Sequence, residues 1–240
     1  MAVAGTPLVC LHATAYSSRS FGALLDALDG KRHVIALDTP GYGESDALPI
    51  GGTIADYAEA IADMLPGRCD LFGYHTGVSI AVELALAHPA RIGRMTFIGV
   101  PYFQALDFAA WRTKLAARHE LGETLEQFEE RWRFLVTDRP AGLSLERGFE
   151  NFVDELKAWP DGWWAHEALF EHDLPERLAE VTQTVTVLNP AGHLAGPSRL
   201  AAGLMRNATV VELPELRGAV LDLHADVIAG HVLELAEVSA

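Results

Sequence analysis

The sequence predicts an α/β protein with a mostly parallel sheet of about six strands, helices on both faces and a helical block inserted late in the sheet. Three observations carry this. Short apolar runs of roughly five residues alternate with helical patterns of roughly ten to fifteen, the rhythm of strands covered on both faces. The rhythm stops near residue 103 and resumes near residue 179, and all five tryptophans of the chain lie in that interval. The apolar runs end in turn-forming residues, and the strand ends of open α/β sheets are where ligands bind.

The elements follow in order. Leu8 to His12 is a short apolar run, read as a buried strand. Phe21, Leu24, Leu25 and Leu28 have helical spacing. His33 to Asp38 is a second strand, stopped by Thr39-Pro40-Gly41. Thr53 is placed to cap a helix whose apolar positions include Ile54, Tyr57, Ile61 and Leu65. Cys69 to Tyr74 is a third strand, Val78 to His88 a small-residue helix, and Met95 to Val100 a fourth strand ended by Pro101. Residues 103–178 carry aromatic-rich helical patterns and no strand pattern, so they are expected to form a helical cap on a core of residues 1–102 and 179–240. Val185 to Leu188 and Thr209 to Leu213 are the last strands, Leu200 to Met205 a short helix, and Val220 to Leu235 the last helix.

Composition narrows the function. The formal net charge is −15, with no basic run, which disfavours nucleic acid and anionic membranes as partners. No apolar run reaches the roughly 18 residues that span a bilayer. Met1 to Pro7 lacks a basic n-region and a long apolar stretch, so no signal peptide is expected, and a cytoplasmic monomer or homodimer is the simplest reading. Cys10 and Cys69 fall in buried strands and are read as core residues, not a disulfide.

The most informative motif is Gly73-Tyr74-His75-Thr76-Gly77, at a strand-to-helix turn. Glycine, any residue, nucleophile, any residue, glycine is the spacing of a nucleophile elbow, but the centre is His75 where Ser, Cys or Asp is expected. Two further motifs stand in order before it: Leu11-His12-Ala13-Thr14 after the first strand, and Asp38-Thr-Pro-Gly-Tyr-Gly-Glu-Ser45 after the second. Together the three resemble the α/β-hydrolase fold in a compact form that begins near residue 7, and the resemblance covers nearly the whole chain. Asp38 and Ser45 are read as shaping their own turn.

That resemblance implies a nucleophile, an acid after the strand that follows the cap, and a histidine after the last strand. The second position here holds His193, or Gly192 if the alignment slips by one, and the third holds Gly218, which has no side chain. His224 is six residues further on, within the expected last helix, which Asp222 is expected to cap. A serine must pass its proton to a histidine held by a carboxylate, so an acyl-serine mechanism at residue 75 is excluded. The resemblance also implies an oxyanion hole from the backbone amides of Thr76 and of Thr14 or Ala13, which needs no particular side chain.

The candidate site is therefore His75 as general base, kept neutral by a helix N-terminus, His193 as relay, the Thr14, Ala13 and Thr76 amides as oxyanion donors, and Gly218 as the vacated triad position. His12, Tyr74, Tyr102, Phe103, Trp163 and Trp164 are candidate pocket residues. Phe152 is weighed with them, while His166, His172 and His231 are read as surface residues. The leading expectation is an enzyme acting on a small apolar or aromatic carbonyl compound, by water-mediated hydrolysis or by proton abstraction, with no cofactor and no metal. Its rivals are a pseudoenzyme that binds a small ligand, favoured by Gly218, and a zinc-like ion held by His12, His75 and His193.

Overall fold

The computed structural model describes residues 5–118, 120 and 122–237. The reading of Met1 to Pro7 falls in part outside the described residues. Six strands form one sheet: β1 Leu8–Leu11, β2 Val34–Leu37, β3 Cys69–Tyr74, β4 Ile92–Ile98, β5 Val185–Pro190 and β6 Ala208–Leu213. Their order is β2-β1-β3-β4-β5-β6 and every neighbouring pair is parallel. Leu11 is paired with Gly73 and Gly73 with Phe97, so the C-terminal ends of the three central strands lie side by side.

The period of two along β3 sends successive side chains to opposite faces. Leu71 packs with Ile61 of helix α2 (Ile54–Ala62) and with Ile80 and Leu84 of α3 (Thr76–Ala87). Phe72 packs on the other face with Leu24 and Leu28 of α1 (Gly22–Leu28), and with Ile228 and Val232 of the last helix. Cys10 and Cys69 are both free and buried in this core. Between β4 and β5 the described residues form helices only: α4 Phe108–Leu115, α5 Glu126–Trp132, a π-helical turn over Arg133–Thr137, α6 Leu145–Ala158, α7 Trp164–Glu171 and α8 Leu174–Glu180. None of the helices is long and apolar enough to cross a membrane among the described residues.

Local sequence sets most boundaries. Thr53 caps α2 in a reciprocal box with Asp56, whose amide donates to Thr53 Oγ1 at 3.2 Å while Asp56 Oδ2 accepts from the Thr53 amide at 2.7 Å. Three expectations are corrected. The helix after β5 is α9 (Ala195–Ala202), not Leu200 to Met205. Pro197 lies in its first turn, where the missing N–H costs nothing. The last helix is broken at His224 into α10 (Val220–Leu223) and α11 (Ala225–Glu237). Asp222 therefore lies within α10, where it accepts from Arg147 Nε at 2.8 Å, tying the helical insert to the end of the sheet.

His172 is a further correction. Its side chain is 10 % exposed, and its Nε2 lies 2.8 Å from Oε1 of Glu83, a residue of α3. Arg177 Nε and Nη2 donate to the two oxygens of the same carboxylate at 2.7 and 2.9 Å. Burial alone would raise the Glu83 pKa, but the hydrogen bonds from His172 and Arg177 outweigh it and hold the carboxyl down at about 2.

The bridge joins the helix behind the elbow to the end of the insert, so its loss is expected to be felt globally. The carboxylate stabilises the fold fully above its ordinary value of 4.5, and that contribution is lost as pH falls from 4.5 toward 2. Glu83→Gln is expected to cost roughly 2–4 kcal/mol at neutral pH and to flatten the acid limb of the stability profile. Urea denaturation at a series of pH values checks both; equal midpoints for the variant and the parent chain contradict the assignment.

Candidate functional site at the elbow

Residue 75 sits at the turn from β3 into α3 with φ 50° and ψ −112°, a conformation that costs a non-glycine residue about 1–3 kcal/mol. The flanking glycines are needed for space. A Cβ on Gly73 would stand 2.7 Å from the Val78 Cα, and one on Gly77 would stand 2.0 Å from the Leu11 carbonyl oxygen. The His75 amide donates to Ile98 O at 3.0 Å and its carbonyl accepts from Val78 N at 2.9 Å, which locks the turn.

The imidazole of His75 lies against Gly99, where an added Cβ would be 2.9 Å from Nε2. It faces a cavity of about 200 Å³ that also receives Tyr74, Asn189, His193 and Gly218. The turns after β3, β5 and β6 thus converge there. The His75 and His193 ring centroids are 6.4 Å apart. His193 is exposed and stacks on Trp111 at 5.0 Å, Trp111 on Phe103 at 6.0 Å, and Phe103 on Phe170 at 4.7 Å. This column covers the elbow with apolar rings. Burial, then His193 and His166, lower the His75 pKa from 6.5 to about 4, so the ring is neutral near pH 7. Partial desolvation under Trp111 and then the nearby Lys114 also lower that of His193, exposed though the residue is as a whole.

One expected oxyanion donor is engaged within the protein. The Thr14 amide, expected to face a ligand, donates to Thr76 Oγ1 at 3.1 Å, and the two threonine hydroxyls bond to each other. Tyr42 Oη donates to Gly162 O at 2.8 Å. Both threonines are buried. The Thr76 amide, at the first residue of α3, is one of the helix's orphan donors.

The other expected site residues divide. His12 is buried, its Nδ1–H donating to Ala13 O at 2.7 Å and its Nε2 accepting from the Thr39 amide at 3.0 Å. Both nitrogens are engaged, so His12 supports the loop and offers no lone pair to an ion. No group of three or more His, Cys, Asp or Glu among the described residues could hold a metal ion, and the zinc-like reading does not fit. Ala13 is buried beside His12. Phe103 is packed inside the ring column, Tyr102 is half-buried against the main core, and Trp164 is held by its Nε1 donating to Gly52 O at 3.0 Å. Trp163 and His166 line a separate recess of about 130 Å³. Phe152 packs edge-on against Trp132, and His231 is half-buried.

Sequence reasoning missed Trp111 and His166. His166 is half-buried and close enough to His75 to act on its charge, not a surface residue. Trp111 carried only a generic signal, an aromatic in a helical pattern, because its contact with His193 joins segments far apart in the chain.

The sheet order, the elbow and the insert after β4 define the class: the chain belongs to the α/β-hydrolase fold family, whose model matches residues 6–180. It is 34 % identical over 229 residues to a pimeloyl-acyl-carrier-protein methyl ester esterase of Nitrosospira multiformis, covering 88 % of this chain and 86 % of that one. The Shewanella woodyi enzyme of the same name is 31 % identical over 134 residues, covering 52 % of this chain, which spans 51 % of that relative's length. Solved folds include a hydrolase from Pseudomonas aeruginosa, with a TM-score of 0.80, 21 % identity and coverage of 100 % of this chain and 92 % of that one. An enol-lactonase from Burkholderia xenovorans has a TM-score of 0.69 at 18 % identity, covering 96 % and 91 %.

Two outcomes follow from this geometry. Thr76→Val leaves the Thr14 amide without its acceptor and is expected to cost roughly 1–3 kcal/mol, seen as a lower urea midpoint; an unchanged midpoint means the pair is not formed in solution. The His75 imidazole is expected to titrate by NMR near pH 4, and because the unfolded chain binds that proton near 6.5, stability falls as pH drops from 6.5 to 4. A midpoint above 6 contradicts the burial of this ring.

Proposed function

We propose that this chain is a small-molecule-binding member of the α/β-hydrolase family that has left acyl-transfer chemistry. Residues 103–178 act as a cap on a core of residues 1–102 and 179–240, and the ligand, a small apolar or aromatic carbonyl compound, sits between them. The observation that carries this reading is the 3.1 Å hydrogen bond from the Thr14 amide to Thr76 Oγ1, which occupies the donor that would stabilise an oxyanion. The catalytic positions agree: the elbow holds His75, and the turn after β6 holds Gly218, where no base exists. The methyl ester esterase activity named for its relatives requires groups that these positions do not supply.

A second reading keeps catalysis. The 6.4 Å separation of the His75 and His193 rings leaves room for one bridging water, so His75 would take a proton and pass it outward. The low basicity of His75 and the engagement of the Thr14 amide both weigh against proton abstraction, since the base is weak and one of the expected oxyanion donors is occupied. The site then acts first as a receptor, with the N–H of the neutral His75 ring donating a hydrogen bond to the ligand carbonyl.

The test combines binding with turnover. Calorimetric titration of small aromatic ketones, lactones and β-diketones is expected to give saturable binding without consumption of the compound, and a fluorophosphonate probe is expected not to label the protein. His75→Ser is expected to leave ester hydrolysis at background, since Gly218 provides no base. Turnover of any of these compounds that disappears in His75→Ala replaces this reading with the second one.

A further inference from the structure

The amphipathic helix α6 is turned outward. A helix that covers a core normally buries its apolar stripe and leaves its polar side to water. Here Asn151 and Asp154 are among the buried residues of the helix. Asp154 accepts from Ser17 Oγ at 2.6 Å and from Arg19 Nη1 at 3.0 Å, and Arg147 is tied to Asp222. These polar contacts fix which side of α6 faces the core. The opposite side carries Leu145, 53 % exposed, Phe149, 49 %, and Leu156, 39 %, with Phe152 half-buried between them. Trp132 of α5 is 41 % exposed and joins them, its ring 6.1 Å from that of Phe149 and 5.2 Å from that of Phe152. Large apolar side chains exposed side by side mark an interaction surface.

The stripe reads the same in both directions. Steps of four, three and four residues lead from Leu145 to Phe149, Phe152 and Leu156, the spacing of a helix–helix seam. A second α6 laid antiparallel on the first puts Leu145 opposite Leu156 and Phe149 opposite Phe152. Each pair then recurs on the other side of the centre, as a two-fold interface requires. Charge fits the same arrangement. An axis midway between Phe149 and Phe152 crosses α5 at Trp132, which touches both rings. Glu129 and Glu130 are exposed just before Trp132, and Arg133 is exposed just after it. Reversal about that axis brings the carboxylates of one copy beside the guanidinium of the other. Along the seam, Glu146 comes beside the uncharged Val153. Two such helices side by side, about 21 Å long and about 20 Å across, cover about 400 Å² per copy. That is the low end for specific interfaces, so the association is weak and concentration-dependent. A bilayer is the poorer occupant. Helices that lie on membranes carry Lys and Arg beside the apolar face, whereas this rim holds Glu129, Glu130, Glu146 and Glu150 on a chain of net charge −15.

We propose that the outward face of α5 and α6 docks a second copy of this chain, antiparallel about a two-fold axis near Trp132. The inference goes beyond the ligand-binding reading and does not depend on it, since no residue of this stripe lines the cavity at His75.

Sedimentation velocity of the full chain over a series of concentrations is expected to show a reversible monomer–dimer equilibrium. Phe149→Glu is expected to weaken it at least about tenfold, as loss of a central aromatic anchor does, with the circular dichroism of the parent chain retained. Leu200→Glu, at an apolar residue of α9 that is 59 % exposed, is expected to leave it unchanged. Register is read by cross-linking, since Cys10 and Cys69 are buried. Glu146 of one copy and Val153 of the other are about 3 Å apart along the seam, whereas two copies of residue 146 are about 14 Å apart. A mixture of Glu146→Cys and Val153→Cys chains treated with a short bismaleimide is therefore expected to join unlike chains in preference to like ones. A chain that stays monomeric throughout overturns the proposal, as does a dimer indifferent to Phe149→Glu, or cross-linking of like with like. Flotation of a monomeric chain with phosphatidylcholine vesicles, abolished by Phe149→Glu, also overturns it and gives the face to lipid. The cross-linked chains keep the apolar stripe, so the register test stands even where Phe149→Glu fails to fold.

Discussion

Everything in this site depends on the backbone of residue 75. With φ at 50° and ψ at −112°, the chain leaves β3 and enters α3 in a turn too tight for side chains on either side. Gly73 lies against Val78 and Gly77 against the Leu11 carbonyl, so the elbow packs onto β1 as well as onto its own helix. The strain persists because the His75 amide and carbonyl are both hydrogen-bonded and α3 is buried behind them. The geometry that elsewhere exposes a nucleophile here exposes an imidazole.

An imidazole at that place behaves differently from a hydroxyl. It is larger, it reaches Gly99, and burial makes its charged form unfavourable. A hydroxyl needs a neighbouring base to become useful, whereas a neutral imidazole already accepts a hydrogen bond. The threonine beside it changes the site in the opposite sense. By accepting the Thr14 amide, Thr76 satisfies from within the protein one of the donors expected to face a ligand. Together the two residues leave the Thr14 amide engaged and place a neutral imidazole beside it.

The fold was legible in the sequence because its signals are local. Buried parallel strands read as apolar runs, and Thr53, Pro101 and the elbow glycines mark the ends of elements through their own backbone chemistry. The β3 boundaries at Cys69 and Tyr74 are those expected, while α9 and the break at His224 depend on packing that no short window contains. The site was legible to the level of which turns meet, since His75, His193 and Gly218 do share one cavity. Its chemistry was not. Whether the Thr14 amide is open depends on a side-chain rotamer of Thr76, sixty-two residues away in the chain, and the cover over His193 depends on Trp111 in a different segment. His172 read as a surface residue because its partner Glu83 is 89 residues away in the chain, although the two meet in space.

Gly218 brings these arguments together. Its positive φ and the closeness of Pro140 mean that the missing side chain is not an empty socket awaiting a histidine. Pro140 of the inserted segment lies against the turn, Arg147 of α6 is tied to Asp222 of α10, and Gly218 lines two neighbouring cavities. Restoring a base there would require a strained backbone and the displacement of Pro140, with the Arg147 bridge holding the insert in place. The elbow and this turn therefore meet at one place: a serine at residue 75 would find no side chain at residue 218 to take its proton, whereas a neutral imidazole carries its own donor and its own acceptor.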